Sequence, residues 1–69
     1  NISTEVIERH LMAAIETLPQ KQAEVFELKF FQDLKFSEIS KLTGISEGGL
    51  KANYHHAVKK IEEHLRSAL

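Results

Sequence analysis

The chain has 69 residues, of which 42% are hydrophobic and 28% are charged, with a formal net charge of −1 and no cysteine. This composition predicts one small folded domain and excludes disulfide frameworks, thiolate metal sites and thiol chemistry. No apolar run approaches the roughly 18 residues that cross a bilayer, and the start lacks a signal-peptide pattern, so we expect a cytoplasmic protein. Because the first residue is Asn1 and not methionine, we expect a fragment of a longer parent chain.

The spacing of apolar residues predicts an all-α chain of four helices. Apolar residues recur at intervals of three and four, and only three glycines and one proline interrupt the sequence. The first helix is predicted to follow Ser3 or Thr4 as its N-cap and to stop at Pro19, which also suits the first position of the second helix. The residues predicted to face the core from these two helices are Ile7, Leu11, Ala14, Ile15, Leu18, Val25, Phe26, Leu28 and Phe30.

The second half of the chain is predicted to form a short helix, a tight turn and a long helix. After a connector over 32–35, we predict the short helix over 36–42 and the long helix over 47–65. Gly44 supplies the left-handed residue that ends the short helix, and Ser46 is the N-cap of the long one. The residues predicted to face the core are Phe36, Ile39 and Leu42 from the short helix and Leu50, Tyr54, Ala57, Val58, Ile61 and Leu65 from the long helix.

A short helix, a glycine-containing turn and a longer capped helix are the outline of a helix-turn-helix, here predicted over 36–65. The predicted fold is therefore an all-α, four-helix domain, winged-helix-like in arrangement but without the wing. Charge is distributed unevenly: residues 1–35 carry four basic and six acidic side chains, whereas residues 51–60 carry three lysines and no acid. These lysines lie on the helix that enters the major groove in a helix-turn-helix, which favours DNA binding.

One face of the predicted fourth helix combines cations, imidazoles and a small residue. Lysines neutralise phosphates, and Asn53 or His56 can address base edges or the backbone, while Ala52 permits close approach or contacts a thymine methyl. Glu62 and Glu63 repel phosphate, so only the N-terminal half of this helix is expected to enter a groove. The residues that cluster on this face are Lys51, Ala52, His55, His56 and Lys59.

A family pattern runs through about residues 15–65. Its residues are Leu18-Pro19, Val25-Phe26 and Leu28, Phe36-Ser37-Glu38-Ile39, Gly44-Ile45-Ser46-Glu47-Gly48, Leu50-Lys51, and His55 with Ala57, Lys59 and Lys60. In this pattern the chain resembles region four of the extracytoplasmic-function sigma factors of bacterial RNA polymerase.

The resemblance implies a single region four domain over 1–69 that recognises the upstream promoter element around minus thirty-five and so directs transcription initiation. It also implies that another surface holds the flap of the polymerase β subunit, and that an anti-sigma factor can be a partner. Lys35 stands where the family has a capping Ser or Thr, so Glu38 lacks the reciprocal hydroxyl of a capping box. Carried over by position, the groove-facing residues are Lys51, Ala52, His55 and His56, and those nearer the phosphates are Ser46, Gly48, Gly49, Asn53, Lys59 and Lys60.

Two other functions remain open on the sequence alone. The helix-turn-helix of two-component response regulators shares the spacing of residues 38–39 and 44–46 and also binds DNA. A protein-interaction bundle would instead bind polymerase or an inhibitor through Phe31 and Leu34 without DNA contact. Salt-dependent retention on heparin would separate the DNA-binding alternatives from the interaction bundle. Lys59 and Lys60, taken alone, also fit an ordinary solvated helix face.

The sequence offers no catalytic constellation. The four histidines lack metal-ligand spacing, the serines lack a nucleophile-elbow context, and there is no glycine-rich phosphate loop. His10 and His64 are expected at the edges of packed faces. We therefore predict a protein that is not an enzyme and needs no cofactor or metal.

Overall fold

The structure, a computed structural model, describes residues 3–69 as four helices: α1 (Thr4–Glu16), α2 (Gln20–Phe30), α3 (Phe36–Thr43) and α4 (Glu47–Ala68). The all-α, four-helix prediction is confirmed. The helices predicted over 36–42 and 47–65 end one and three residues before the observed ends of α3 and α4. The 22 residues of α4 span about 33 Å at 1.5 Å per residue. This helix therefore sets the long axis of the molecule, which measures 40 Å.

Local sequence explains where the helices begin and end. The Oγ of Ser3 accepts a hydrogen bond from the backbone N–H of Val6 at 3.3 Å and so caps α1, as predicted. Pro19 lies at the N-cap of α2, one residue before the predicted position, with φ −56° and ψ 149°. Gly44 ends α3 with φ 76°, in the left-handed region that glycine adopts without steric cost. These few residues therefore determine where the helices begin and end.

The long helix α4 packs against each of the other three helices and joins two clusters of buried residues. One cluster lies between α1, α2 and the C-terminal half of α4, and the other lies between α2, α3 and the start of α4. Tyr54 packs against both clusters, so it serves the core as predicted. The buried members are Ala14, Ile15, Leu18, Phe26, Ala57 and Ile61 in the first cluster and Val25, Ile39 and Leu50 in the second.

Three residues predicted to face the core lie at the surface instead: Ile7 is 41% exposed, Phe30 is 54% exposed and Leu42 is 69% exposed. Leu42 borders the polar start of α2, and Ile45 packs against the second cluster in its place. Ile7 and Phe30 border an apolar groove between α1, α2 and α4. These three side chains lie on the apolar sides of their helices, but no further helix within residues 3–69 covers those sides.

Candidate nucleic-acid interface

A hydrogen-bonded turn fixes α3 against α4. The Oγ of Ser40 donates to the carbonyl of Ile45 at 2.6 Å, and the Oγ1 of Thr43 donates to the carbonyl of Ile39 at 2.8 Å. Thr43 Oγ1 also accepts from the N–H of Ile45 at 3.3 Å, while the N–H of Gly44 donates to Ser40 at 2.9 Å. Gly44 was predicted from the sequence and the two hydroxyl groups were not, although Ser and Thr near a helix end commonly form hydrogen bonds to the backbone.

The start of α3 carries half of a capping box. The carboxylate of Glu38 accepts a hydrogen bond from the backbone N–H of Lys35 at 2.8 Å. A lysine side chain has no acceptor, so it cannot bond in return to the N–H of Glu38. The expected departure from a complete capping box is therefore present.

The start of α4 is closed by Ser46, as predicted. Its Oγ accepts from the N–H of Gly49 at 3.1 Å, and its carbonyl accepts from the N–H of Leu50 at 2.9 Å. A Cβ on Gly48 would meet open space, whereas a Cβ on Gly49 would lie 3.2 Å from both Ile45 Cγ2 and Ser46 Oγ. Gly49 thus leaves room for the cap, and Gly48 leaves the backbone of the first turn bare.

The residues predicted to contact DNA lie together on α4 and at its start. Leu50, Ala57 and Ile61 are buried on the core side of the helix. The rings of His55 and His56 lie 6.0 Å apart on the other side. The exposed members of the predicted set are Ser46, Gly48, Lys51, Ala52, His55, His56, Lys59 and Lys60, and the half-buried members are Gly49 and Asn53.

These side chains do not all point in one direction. At about 100° per residue, Lys51 and Lys60 point roughly 180° apart, so they lie at opposite edges of the exposed face. Lys59 points in a direction between these two and lies about 12 Å from Lys51 along the helix axis. Glu62 and Glu63 are exposed in the next turn. The basic part of the face therefore ends where these carboxylates begin.

A lysine outside α4 also lies close to this region. The Nζ of Lys51 is 6.0 Å from the centre of the Phe36 ring, and the Nζ of Lys29 from α2 is 5.0 Å from the centre of the same ring. Lys29 was not predicted from the sequence because it lies in the more acidic first half of the chain. The distance in sequence between Lys29 and the other lysines does not indicate that they lie close together, because three different helices meet at this ring.

The two residues predicted to contact a protein partner differ in exposure. Phe31 is 51% exposed and packs edge to face on Phe30, with 5.2 Å between the ring centres. Leu34 is half-buried and packs against the second cluster. Phe30, which Phe31 contacts, borders the apolar groove of about 350 Å³, whose lining also includes Ile7, Leu11, Phe26, Tyr54, Val58 and Leu65.

Within residues 3–69, no group of three or more His, Cys, Asp or Glu side chains is placed to hold a metal ion. None of the helices described for these residues combines the length and the apolar character that crossing a membrane requires. His10 and His64 are half-buried, as expected for the edges of packed faces.

Comparison with known proteins identifies the family. No curated protein matches the chain. The sequence profile of the family described as "Sigma-70, region 4" matches residues 8–61. This span contains all of α2 and α3, the turn after them and every residue predicted to contact DNA, and it favours the sigma factor interpretation over the response regulator. The chain belongs to the sigma-70 region 4 family.

Proposed function

We propose that this chain recognises promoter DNA at the minus thirty-five element as region four of an extracytoplasmic-function sigma factor, and so directs transcription initiation by bacterial RNA polymerase. In sigma factors, region 4 is the part that recognises this element. The observation that carries the proposal is the exposed face of α4 over 51–60, which contains three lysines and no acid and follows a hydrogen-bonded turn.

In the proposed complex, the N-terminal half of α4 lies in the major groove. Ala52 lies near the middle of the exposed face, where a small side chain lets the helix approach the bases. His55 and His56 offer ring nitrogens to base edges, and Lys51 and Lys59 neutralise phosphates. The residues proposed to lie nearer the phosphates without reading bases are Ser46, Gly48, Gly49, Asn53 and Lys60.

The proposed role is binding and not catalysis, so it needs no cofactor. Promoter recognition takes place where bacterial DNA and polymerase are found, which makes the cytoplasm the proposed location. Region 4 is one region of a sigma factor, and we propose that the domain over 1–69 works as part of a longer chain.

A second surface is proposed to contact RNA polymerase. Phe30 and Phe31 are each more than half exposed beside the apolar groove, and exposed apolar patches of this kind mark protein interaction sites. We propose that Phe31 and Leu34, with Phe30, hold the flap of the polymerase β subunit. An anti-sigma factor that covered the same surface would compete with polymerase.

Two lysines allow a quantitative test of DNA binding through the salt dependence of the affinity. Lys51→Ala and Lys59→Ala are each expected to weaken binding to all duplexes about equally and to reduce the slope of log affinity against log salt by about one, because each removes one phosphate contact. Fluorescence anisotropy with a labelled duplex of mixed sequence, at several salt concentrations, measures this slope.

The matched control is Arg9→Ala on α1. Arg9 is exposed beside Glu5, Glu8 and Glu16, so its removal changes the net charge equally but away from α4, and the slope is expected to stay unchanged. Selection from a randomised pool of duplexes is expected to return one preferred motif. Binding that does not depend on salt, or a pool without a preferred motif, would contradict promoter recognition and favour the interaction bundle.

A further inference from the structure

Three helices meet at the ring of Phe36, the first residue of α3. The Nζ of Lys29, from α2, lies 5.0 Å from the ring centre, and the Nζ of Lys51, from α4, lies 6.0 Å from it. Both distances fall within the range of about 6 Å over which a cation is attracted to an aromatic face. Two ammonium groups that are far apart in sequence are therefore held at one ring.

Packing holds this ring in place. The Phe36 ring meets the ring of Tyr54 edge to face, with 5.8 Å between centres, and Tyr54 stacks on Phe26 at 5.8 Å. Phe26 is only 3% exposed, so this aromatic row is anchored in the first cluster of the core. A lysine attracted to such a ring is restricted before any ligand binds, which lowers the entropy lost on binding.

The charges around the ring favour a bound anion. Two like charges at one ring repel each other, and a negative charge placed beside them relieves that repulsion. The carboxylate of Glu38, in the first turn of α3, already accepts a hydrogen bond from the N–H of Lys35. Lys29 is half-buried, and a lysine in this position packs its methylene stem while its ammonium group stays in water.

The geometry of a helix-turn-helix brings phosphates to this place. While the second helix enters the groove, the first helix crosses the DNA backbone. Lys29 lies beside the start of that first helix, and Lys51 lies in the second turn of α4. We propose that Lys29 belongs to the DNA-binding surface and neutralises a phosphate next to the one bound by Lys51. This inference rests on the proposed function of α4.

The test compares Lys29→Gln with the unmodified chain in anisotropy titrations of a labelled duplex of mixed sequence. The variant is expected to lower the salt slope by about one, so that between 50 and 200 mM salt the affinity of the unmodified chain falls about 3.5-fold more than that of the variant. Lys29→Arg is expected to keep the slope, because guanidinium retains the charge and stacks on an aromatic ring.

Arg9→Gln makes the same change in net charge and is expected to leave the slope unchanged. A slope that is unaltered in Lys29→Gln but lowered in Lys51→Ala overturns this inference and leaves the proposed function standing. If neither variant lowers the slope, or the chain binds no DNA, both fall. NMR of the unmodified chain avoids any folding defect of a variant: the side-chain signals of Lys29 should shift on addition of duplex, and unshifted signals overturn the inference.

Discussion

The three glycines of the chain stand in three different environments. Gly44 has φ 76° with open space where a Cβ would lie, so its requirement is conformational. Gly49 has an ordinary helical backbone, and a Cβ there would lie 3.2 Å from the capping oxygen of Ser46. Gly48 has neither constraint. The sequence Gly48-Gly49 in the first turn of α4 therefore combines one crowded position with one free position.

These environments give an expected order of stability for three alanine variants. Gly44→Ala is expected to destabilise the domain by about 1–2 kcal/mol, because an L-residue is strained in the left-handed region. Gly48→Ala is expected to be neutral or to stabilise by up to about 1 kcal/mol, since it improves helix propensity without a clash. Gly49→Ala should fall between them, because its Cβ disturbs the cap. Urea denaturation measures all three, and a Gly44→Ala variant as stable as Gly48→Ala would contradict the assignment.

Among the helices, the apolar pattern predicted the buried residues better in the longest helix than in the shortest. In α4, with 22 residues, the predicted stripe coincides with the buried residues Leu50, Ala57 and Ile61. In α3, with eight residues, only Ile39 is buried and Leu42 is exposed. A helix of about two turns has too few apolar positions to define a stripe. Its packing was therefore settled by the neighbouring helices.

This difference can be measured with two truncations. Ile61 is 5% exposed in the first cluster, so Ile61→Ala is expected to cost about 2–5 kcal/mol, a large part of the total stability of a small domain. Leu42 is 69% exposed, so Leu42→Ala is expected to cost less than about 0.5 kcal/mol. Thermal or urea unfolding of the two variants checks this, and equal losses would show that Leu42 is covered in solution.

At the scale of the whole molecule, a net charge of −1 conceals separate charged surfaces. Glu5, Glu8 and Glu16 lie along one surface of α1 around Arg9, whereas Lys51, Lys59 and Lys60 lie on α4 and Lys29 lies at the ring of Phe36. DNA affinity therefore depends on where the charges lie and not on their sum, since a local field attracts phosphate even when the total charge is slightly negative.

Much of the local structure could be predicted from the sequence because it depends on interactions between residues three or four apart. The caps at Ser3 and Ser46 and the left-handed end of α3 at Gly44 depend on hydrogen bonds and backbone sterics within one turn. The exposure of Lys51 and His55 follows from their places on the same helix as the core stripe. Because the proposed DNA-reading residues belong to one helix, the periodicity of that helix was enough to propose them.

Tertiary packing decided the features that depend on what stands opposite a side chain. Ile7, Phe30 and Leu42 fit an apolar pattern, yet they are exposed because the four helices of residues 3–69 leave those sides uncovered. Lys29 and Lys51 lie at one ring only because Phe36 is where α2, α3 and α4 meet. A sequence pattern gives the direction of a side chain relative to its own helix, whereas its neighbours across the fold depend on how the helices pack together.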